Sequence, residues 1–151
     1  MVAQDTADIA CAERVRNSFA KQGLMTTLGA TLSKISPGLI EIELKPSAHL
    51  SQQHGFVHAG AVSAIADSAA GYAALTLMPT NRGVLTVEFK INLLAPAVGE
   101  QIYARGRVLK AGRTLTLAQS DVFALRAGEE KLIAVLTATL MSVEGRDGVT
   151  D

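Results

Sequence analysis

The hydrophobic pattern of this chain switches repeatedly between a helical and a strand period. Over residues 8–22, DIACAERVRNSFAKQ, Cys11, Val15 and Phe19 fall every fourth position and form one apolar stripe. That spacing predicts a short helix, with Gly23 as its stop. LGATLSKI, the turn Ser36-Pro37-Gly38 and LIEIELKP then predict a hairpin. In its second arm Ile40, Ile42 and Leu44 alternate with Glu41 and Glu43, and Pro46 ends it. Residues 59–77 return to helical spacing, closed by Pro79.

The rest reads as strand. In VLTVEFKINLL, Leu85, Val87, Phe89, Ile91 and Leu93 alternate with Thr86, Glu88, Lys90 and Asn92. EQIYARGRVLKAG lies between Gly99 and Gly112, and RTLTLAQSDVFAL between Gly112 and Gly128. EKLIAVLTATLMSV is apolar on both faces at its centre, as a strand inside a sheet is. The tail at 144–151, EGRDGVTD, is expected to fray. A helix, two strands, one long helix and four strands over residues 1–151 predict a single α+β domain, with the long helix packed on one sheet.

The long helix carries an oddity. At about 100° per residue, Val62, Ile65, Ala69, Tyr72 and Ala73 cluster on a face suited to the sheet. Gly60, Ser63, Asp67, Gly71 and Ala74 fall opposite. An acid on the polar side of a helix is ordinarily a solvated group, but Lys, Glu and Gln would then surround it. A face of small residues lets another backbone come close. Asp67 is therefore expected against a neighbouring element, partly desolvated, with its pKa raised towards that of a general base. At the helix start, around His58, Ala59 and Gly60, unpaired N–H groups and the helix dipole favour an oxygen gaining negative charge. The two features lie about 13–14 Å apart along the helix at 1.5 Å per residue, too far to act on one carbonyl within one chain. If both act on one substrate, two copies must be arranged about a two-fold axis.

Composition narrows the function. With 14 basic and 14 acidic residues the formal net charge is zero, which disfavours a nucleic-acid surface. Four Phe, two Tyr and no Trp offer little for base stacking. Cys11 is the single cysteine, so no intrachain disulfide forms and a cytoplasmic setting is the default expectation. No signal peptide or uninterrupted apolar span for a membrane is read in the sequence. The 48% hydrophobic content leaves apolar surface that contact between subunits would bury.

The segment QQHGFVHAGAVSAIADSAAGYAA followed by VLTVEFKINLLAPA resembles the hotdog-fold acyl-CoA thioesterases of the phenylacetate-degradation (PaaI-like) branch, over roughly residues 25–143. The resemblance implies a curved antiparallel sheet wrapped around one long central helix. It also implies a homodimer or dimer of dimers with sites at the subunit interface. The implied reaction is hydrolysis of an acyl- or aryl-CoA, with coenzyme A part of the substrate and no separate cofactor or metal. On this likeness Asp67 is the catalytic carboxylate, as base or nucleophile. Ala59 replaces the glycine whose N–H polarises the thioester carbonyl, a departure from the usual His-Gly-Gly. His58 is the motif histidine, Gln52 (or Gln53, one register along) positions the carbonyl or water, and Thr86 helps hold the water. Gly71 stands where some relatives carry a hydroxyl.

Other substrate contacts are expected from Gln53, His54, Gly60, Lys90 and Arg113. The wider set of cations available to CoA phosphates is Lys90, Arg105, Arg107, Lys110 and Arg113. His54 and His58 are four apart, but Gly55 lies between and only His49 remains as a third imidazole, so a loop-fixing role for His54 is preferred to a metal site. Cys11 reads as core rather than nucleophile, and no Ser–His–Asp set stands out. Two other functions fit the same fold. One is a non-catalytic acyl-CoA-binding or regulatory module; the other is an enoyl-CoA hydratase, which wants Asp and His close together in one site.

Overall fold

A computed structural model describes residues 2–144 and Val149, with side chains from Ile9 onward. The expected fraying of the tail falls mostly outside the described residues. The chain runs α1 (Val2–Ala20), α2 (Gly23–Leu28), β1 (Thr31–Ser36), β2 (Leu39–Leu44), α3 (Ala59–Leu75), β3 (Arg82–Leu93), β4 (Gln101–Ala111), β5 (Leu115–Arg126) and β6 (Glu129–Glu144). The first helix is longer than its apolar stripe, and Gly23 does not simply stop it. The chain bends at Lys21 and Gln22, and Gly23 opens α2, too short a turn for periodicity to register. α2 ends at Gly29, whose φ of 67° gives a left-handed cap. Residues 28–29 thus close a helix, and the hairpin begins only at Thr31.

All six strands pair antiparallel in the order β1-β2-β4-β5-β6-β3. α3 lies on the inner face. Ile40, Ile42 and Leu44 of β2, Ile102 and Ala104 of β4, Ala118 and Val122 of β5, and Leu136 and Leu140 of β6 are buried with Val62, Ile65, Ala66, Ala69 and Ala70 of the helix. At the crossing with β4 the helix backbone itself touches the sheet. A Cβ on Gly106 would drive into the Ala69 carbonyl and come within 2.7 Å of the Ala70 nitrogen.

The helical-wheel expectation fails at Tyr72. Tyr72 is buried towards α1, not the sheet: its hydroxyl meets Ser18 Oγ at 3.2 Å and its ring sits 5.9 Å from Phe19. Gly71 and Ala74, on the small-residue face expected against a neighbouring element, are buried. The chain's own α1 packs beside this half of α3, with Cys11 Sγ contacting the Thr76 carbonyl at 3.6 Å.

β3 departs more instructively. The pairing of β3 with β6 slips between Thr86 and Glu88, leaving Val87 as a bulge. Thr86 stands opposite Leu140, and beyond the bulge Phe89, Ile91 and Leu93 stand opposite Ala138, Leu136 and Ala134. Directly opposed residues share a face, so Thr86 joins Phe89, Ile91 and Leu93 on the inner face. Leu85, opposite Met141, is turned outward, against the simple alternation. β3 is also an edge strand, with Val87 56% and Phe89 46% exposed.

Gly106→Ala forces the helix off the sheet at its closest point. We expect a loss of about 1–3 kcal/mol of stability, read as a lower urea midpoint at unchanged m-value.

Candidate active site

The approach to α3 is a tied loop. Ser51 bridges to Val57, and Gln52 N–H donates to the Phe56 carbonyl at 2.8 Å across a turn containing Gly55 at φ 82°. Val57 N–H donates to Ala97 and His58 N–H to Leu50, at 3.1 and 2.7 Å. His58 caps the helix through its side chain: Nδ1 accepts the Gly60 N–H at 2.8 Å. The N–H groups of Ala61 and Val62 both reach the His58 carbonyl. The capping sorts the donors at the helix tip. Those of His58 and Gly60 are engaged, whereas none of the described residues accepts the N–H of Ala59.

Ala59 lines a cavity of about 540 Å³ with Gln52, Gln53, Phe56, His58, Leu93 and Leu94 among its walls. Gln52 is fixed there, its Oε1 accepting the His54 N–H. Gln53 also borders the cavity, and its amide lies 3.4 Å from the His54 ring. His54 itself is exposed and not among the lining residues. Gly60 opens onto a different groove, beside His49 and Leu50. With its N–H engaged by His58, it is not a free donor to substrate.

Asp67, two and a half turns along α3, lies in a separate cavity of about 170 Å³ with Gln22, Ser68, Gly71, Tyr72, Val84 and Thr86. The two cavities share no lining residue. The neighbour of Asp67 is the sheet's edge, contrary to the expectation that it faces away from the sheet: Thr86 Oγ1 donates to Oδ1 at 2.9 Å. The bulge at Val87 makes this contact possible by turning Thr86 inward. Burial pushes the Asp67 pKa above the ordinary carboxylate value, and the Thr86 hydrogen bond pulls it part of the way back.

The cations are scattered. Lys90, opposite Thr137, is on the outer face of β3, away from both cavities. Arg113 borders a small cavity at the far end of α3, near Ala74 and Leu77. Arg105 is clamped by Glu130 at 2.7 Å and by Glu41, and lies over the rings of Tyr103 and Phe123. Its hydrogen bond holds the Glu130 carboxyl below its ordinary pKa. Arg107 faces Asp121 at 4.0 Å, and Lys110 is exposed on β4. Arg126 and Lys131, not singled out by sequence, border a groove of about 780 Å³ that shares Phe56 and Pro96 with the Ala59 cavity. Gln22 and Ser68 also escaped sequence reasoning, since nothing in the local pattern brings Gln22 next to α3. Among the described residues no group of three or more His, Cys, Asp or Glu is placed to hold a metal ion, and no helix is long and apolar enough to cross a membrane.

Residues 54–130 match the Thioesterase superfamily. The chain is similar to mouse acyl-coenzyme A thioesterase 13, 32% identical over 107 residues, which is 69% of this chain and 73% of that protein. A crystal structure of a thioesterase family protein from Silicibacter pomeroyi superposes with a TM-score of 0.88 at 52% identity, covering 89% of this chain and 99% of the other. The Escherichia coli PaaI protein of the phenylacetic acid degradation operon shares the fold, with a TM-score of 0.82 at 15% identity over 91% of this chain and 96% of that one.

Thr86→Val removes the hydrogen bond that favours the ionised carboxylate, so Asp67 should titrate at a higher pH than in the parent, as followed by carboxyl-carbon NMR. Because burial lifts its folded pKa above the unfolded value, ionisation costs stability as pH rises from the unfolded towards the folded pKa. Asp67→Asn, which still accepts from Thr86, should therefore melt higher than the parent above the folded pKa. The advantage should vanish below the unfolded pKa in a pH series of thermal melts.

Proposed function

We propose that this chain, which belongs to the thioesterase superfamily, hydrolyses acyl- or aryl-CoA at sites each assembled from two copies, one supplying Asp67 and the other the N–H of Ala59. It is a thioester hydrolase with the hotdog fold. The observation that carries the two-copy site is the division of its chemistry along β3. Val84 and Thr86 border the Asp67 cavity at one end of the strand, and Leu93 and Leu94 border the Ala59 cavity at the other.

β3 is a long edge strand with exposed apolar residues, the type of edge that pairs with another chain. With the extra residue at Val87 taken into account, a second β3 running antiparallel about a two-fold axis near Phe89 sets Thr86 against Ile91 and Val84 against Leu93, inner face to inner face, with strands about 4.8 Å apart. Each Asp67 cavity then adjoins the Ala59 cavity of the other copy, and two equal sites result. The same pairing covers Val87 and Phe89.

In this site Thr86 holds Oδ1 of Asp67, leaving Oδ2 to take a proton from water. The desolvated carboxylate is a stronger base than one in bulk solvent. The water oxygen attacks the thioester carbonyl, and the charge arriving on the carbonyl oxygen falls on the free Ala59 N–H and the helix N-terminus. Collapse of the tetrahedral species breaks the C–S bond and releases the acid and CoA thiolate. Gln52 orients the carbonyl or the water, and His58 keeps the tip in shape by its cap. Arg126 and Lys131, along the adjoining groove, receive the CoA phosphates.

The test uses two variants that each remove one half. Asp67→Asn should lower kcat by about 10²–10⁴-fold. Ala59→Pro deletes only the free N–H, at the helix position that best tolerates proline. The preceding His58 already has ψ of 139°, compatible with a following proline; the expected loss is about 10²–10³-fold. Co-expressed, the two variants form mixed dimers in which one site is wholly native, so about a quarter of wild-type activity should return. Mixed dimers no more active than either parent would refute the shared site.

A further inference from the structure

The Asp67 cavity is bordered by a residue from outside the domain's central helix and sheet. Gln22, at the bend between α1 and α2, lies over α3 and donates its amide N–H to the Tyr72 hydroxyl at 2.8 Å. Its Oε1 accepts from Ser68 Oγ at 3.3 Å. Tyr72 is itself held against Ser18 and Phe19 of α1. The amide is thus pinned from both sides, one turn of α3 beyond Asp67. An alkyl chain end arriving there would have to displace hydrogen bonds it cannot replace, which is unfavourable.

The floor of the same cavity is Gly71. Glycine inside a helix costs about 1 kcal/mol relative to alanine, so a buried one calls for a reason. At Gly106 the reason is packing, since no Cβ fits against α3. Gly71 has no such reason: a Cβ there would meet nothing within 4 Å, although the residue is buried. The space a side chain would fill is open cavity. Its volume, about 170 Å³, is comparable with the ~150 Å³ that suffices to hold a benzene ring.

We propose that Gln22 and Gly71 are specificity-determining residues, the end wall and floor of the acyl pocket, and that together they set the acyl-chain length accepted beside Asp67. The inference rests on the reading of Asp67 as the acid of an acyl-CoA hydrolase. It gives the N-terminal helices a function: they deliver the end wall. The acyl group passes Asp67 towards Tyr72, with the thioester carbon level with the carboxylate.

The test is a series of saturated acyl-CoAs from acetyl to palmitoyl, followed by thiol release, with kcat and KM determined separately on the oligomer. Gln22→Ala opens the wall, so the optimum should move to longer chains, with kcat/KM rising about fourfold for each extra methylene accommodated. Gly71→Ala raises the floor, so the optimum should move to shorter chains while the melting temperature holds or rises. Asp67→Asn is run alongside. If it is inactive and both other variants keep the wild-type length profile, the wall and floor are overturned and the Asp67 reading stands. If it is fully active, the Asp67 reading itself falls. A uniform drop at every chain length in Gln22→Ala would reduce Gln22 to a structural tie. Loss of the dimer in Gly71→Ala would assign the glycine to contact between copies.

Discussion

A helix can rest its backbone on a sheet only where the strand carries no side chain at the crossing and the helix carries small ones. α3 and β4 meet this condition at Gly106, under the carbonyl of Ala69 and the nitrogen of Ala70. The run of alanines through the middle of α3 extends the close approach along the inner face, and all of Ala66, Ala69, Ala70 and Ala73 are fully buried. A helix set at ordinary side-chain distance would stand further from every strand. Here α3 sits low in the curve of the sheet, and that depth sets where its one carboxylate lies.

Asp67 is half-buried because the helix is low and the edge strand rises beside it. Full burial would neutralise the carboxylate, and full exposure would leave it an ordinary weak base. The geometry strikes a middle state, in which burial raises the pKa and a single hydroxyl from Thr86 holds the charge in place. That hydroxyl is available only because Val87 is an extra residue in β3. The same strand therefore does two things: it presents Thr86 inward and leaves Val87 and Phe89 exposed along the edge of the sheet.

The helix tip shows a comparable economy. His58 takes one N–H through its ring, and the loop takes another through Leu50, so among the described residues the tip donor left without an acceptor is that of Ala59, which lines the cavity of about 540 Å³. Alanine supplies that N–H as well as glycine would, with a methyl group added to the wall. The N-terminal helices add a further constraint, since they cover the C-terminal half of the small-residue face and leave only its front half open.

Much of this was legible in the sequence because it depends on local chemistry. Periodicity placed α3 and the four strands after it, the breakers placed the turns, and the small residues around Asp67 marked it as unlike a solvated acid. The spacing from His58 to Asp67 separated the helix tip from the acid, and Ala59 and Asp67 line separate cavities. What strict alternation could not reveal is the bulge at Val87, because a register slip is a property of two paired strands and not of one. For the same reason the inward turn of Thr86 rests, at the sequence level, on family likeness rather than on pattern. The choice of Ala59 among the donors at the helix tip depends on which neighbours claim the other N–H groups, and the place of Gln22 depends on a bend between two helices distant in sequence from α3. Local pattern fixes what each segment is, whereas contacts between segments far apart in the chain decide which atoms are left free to do chemistry.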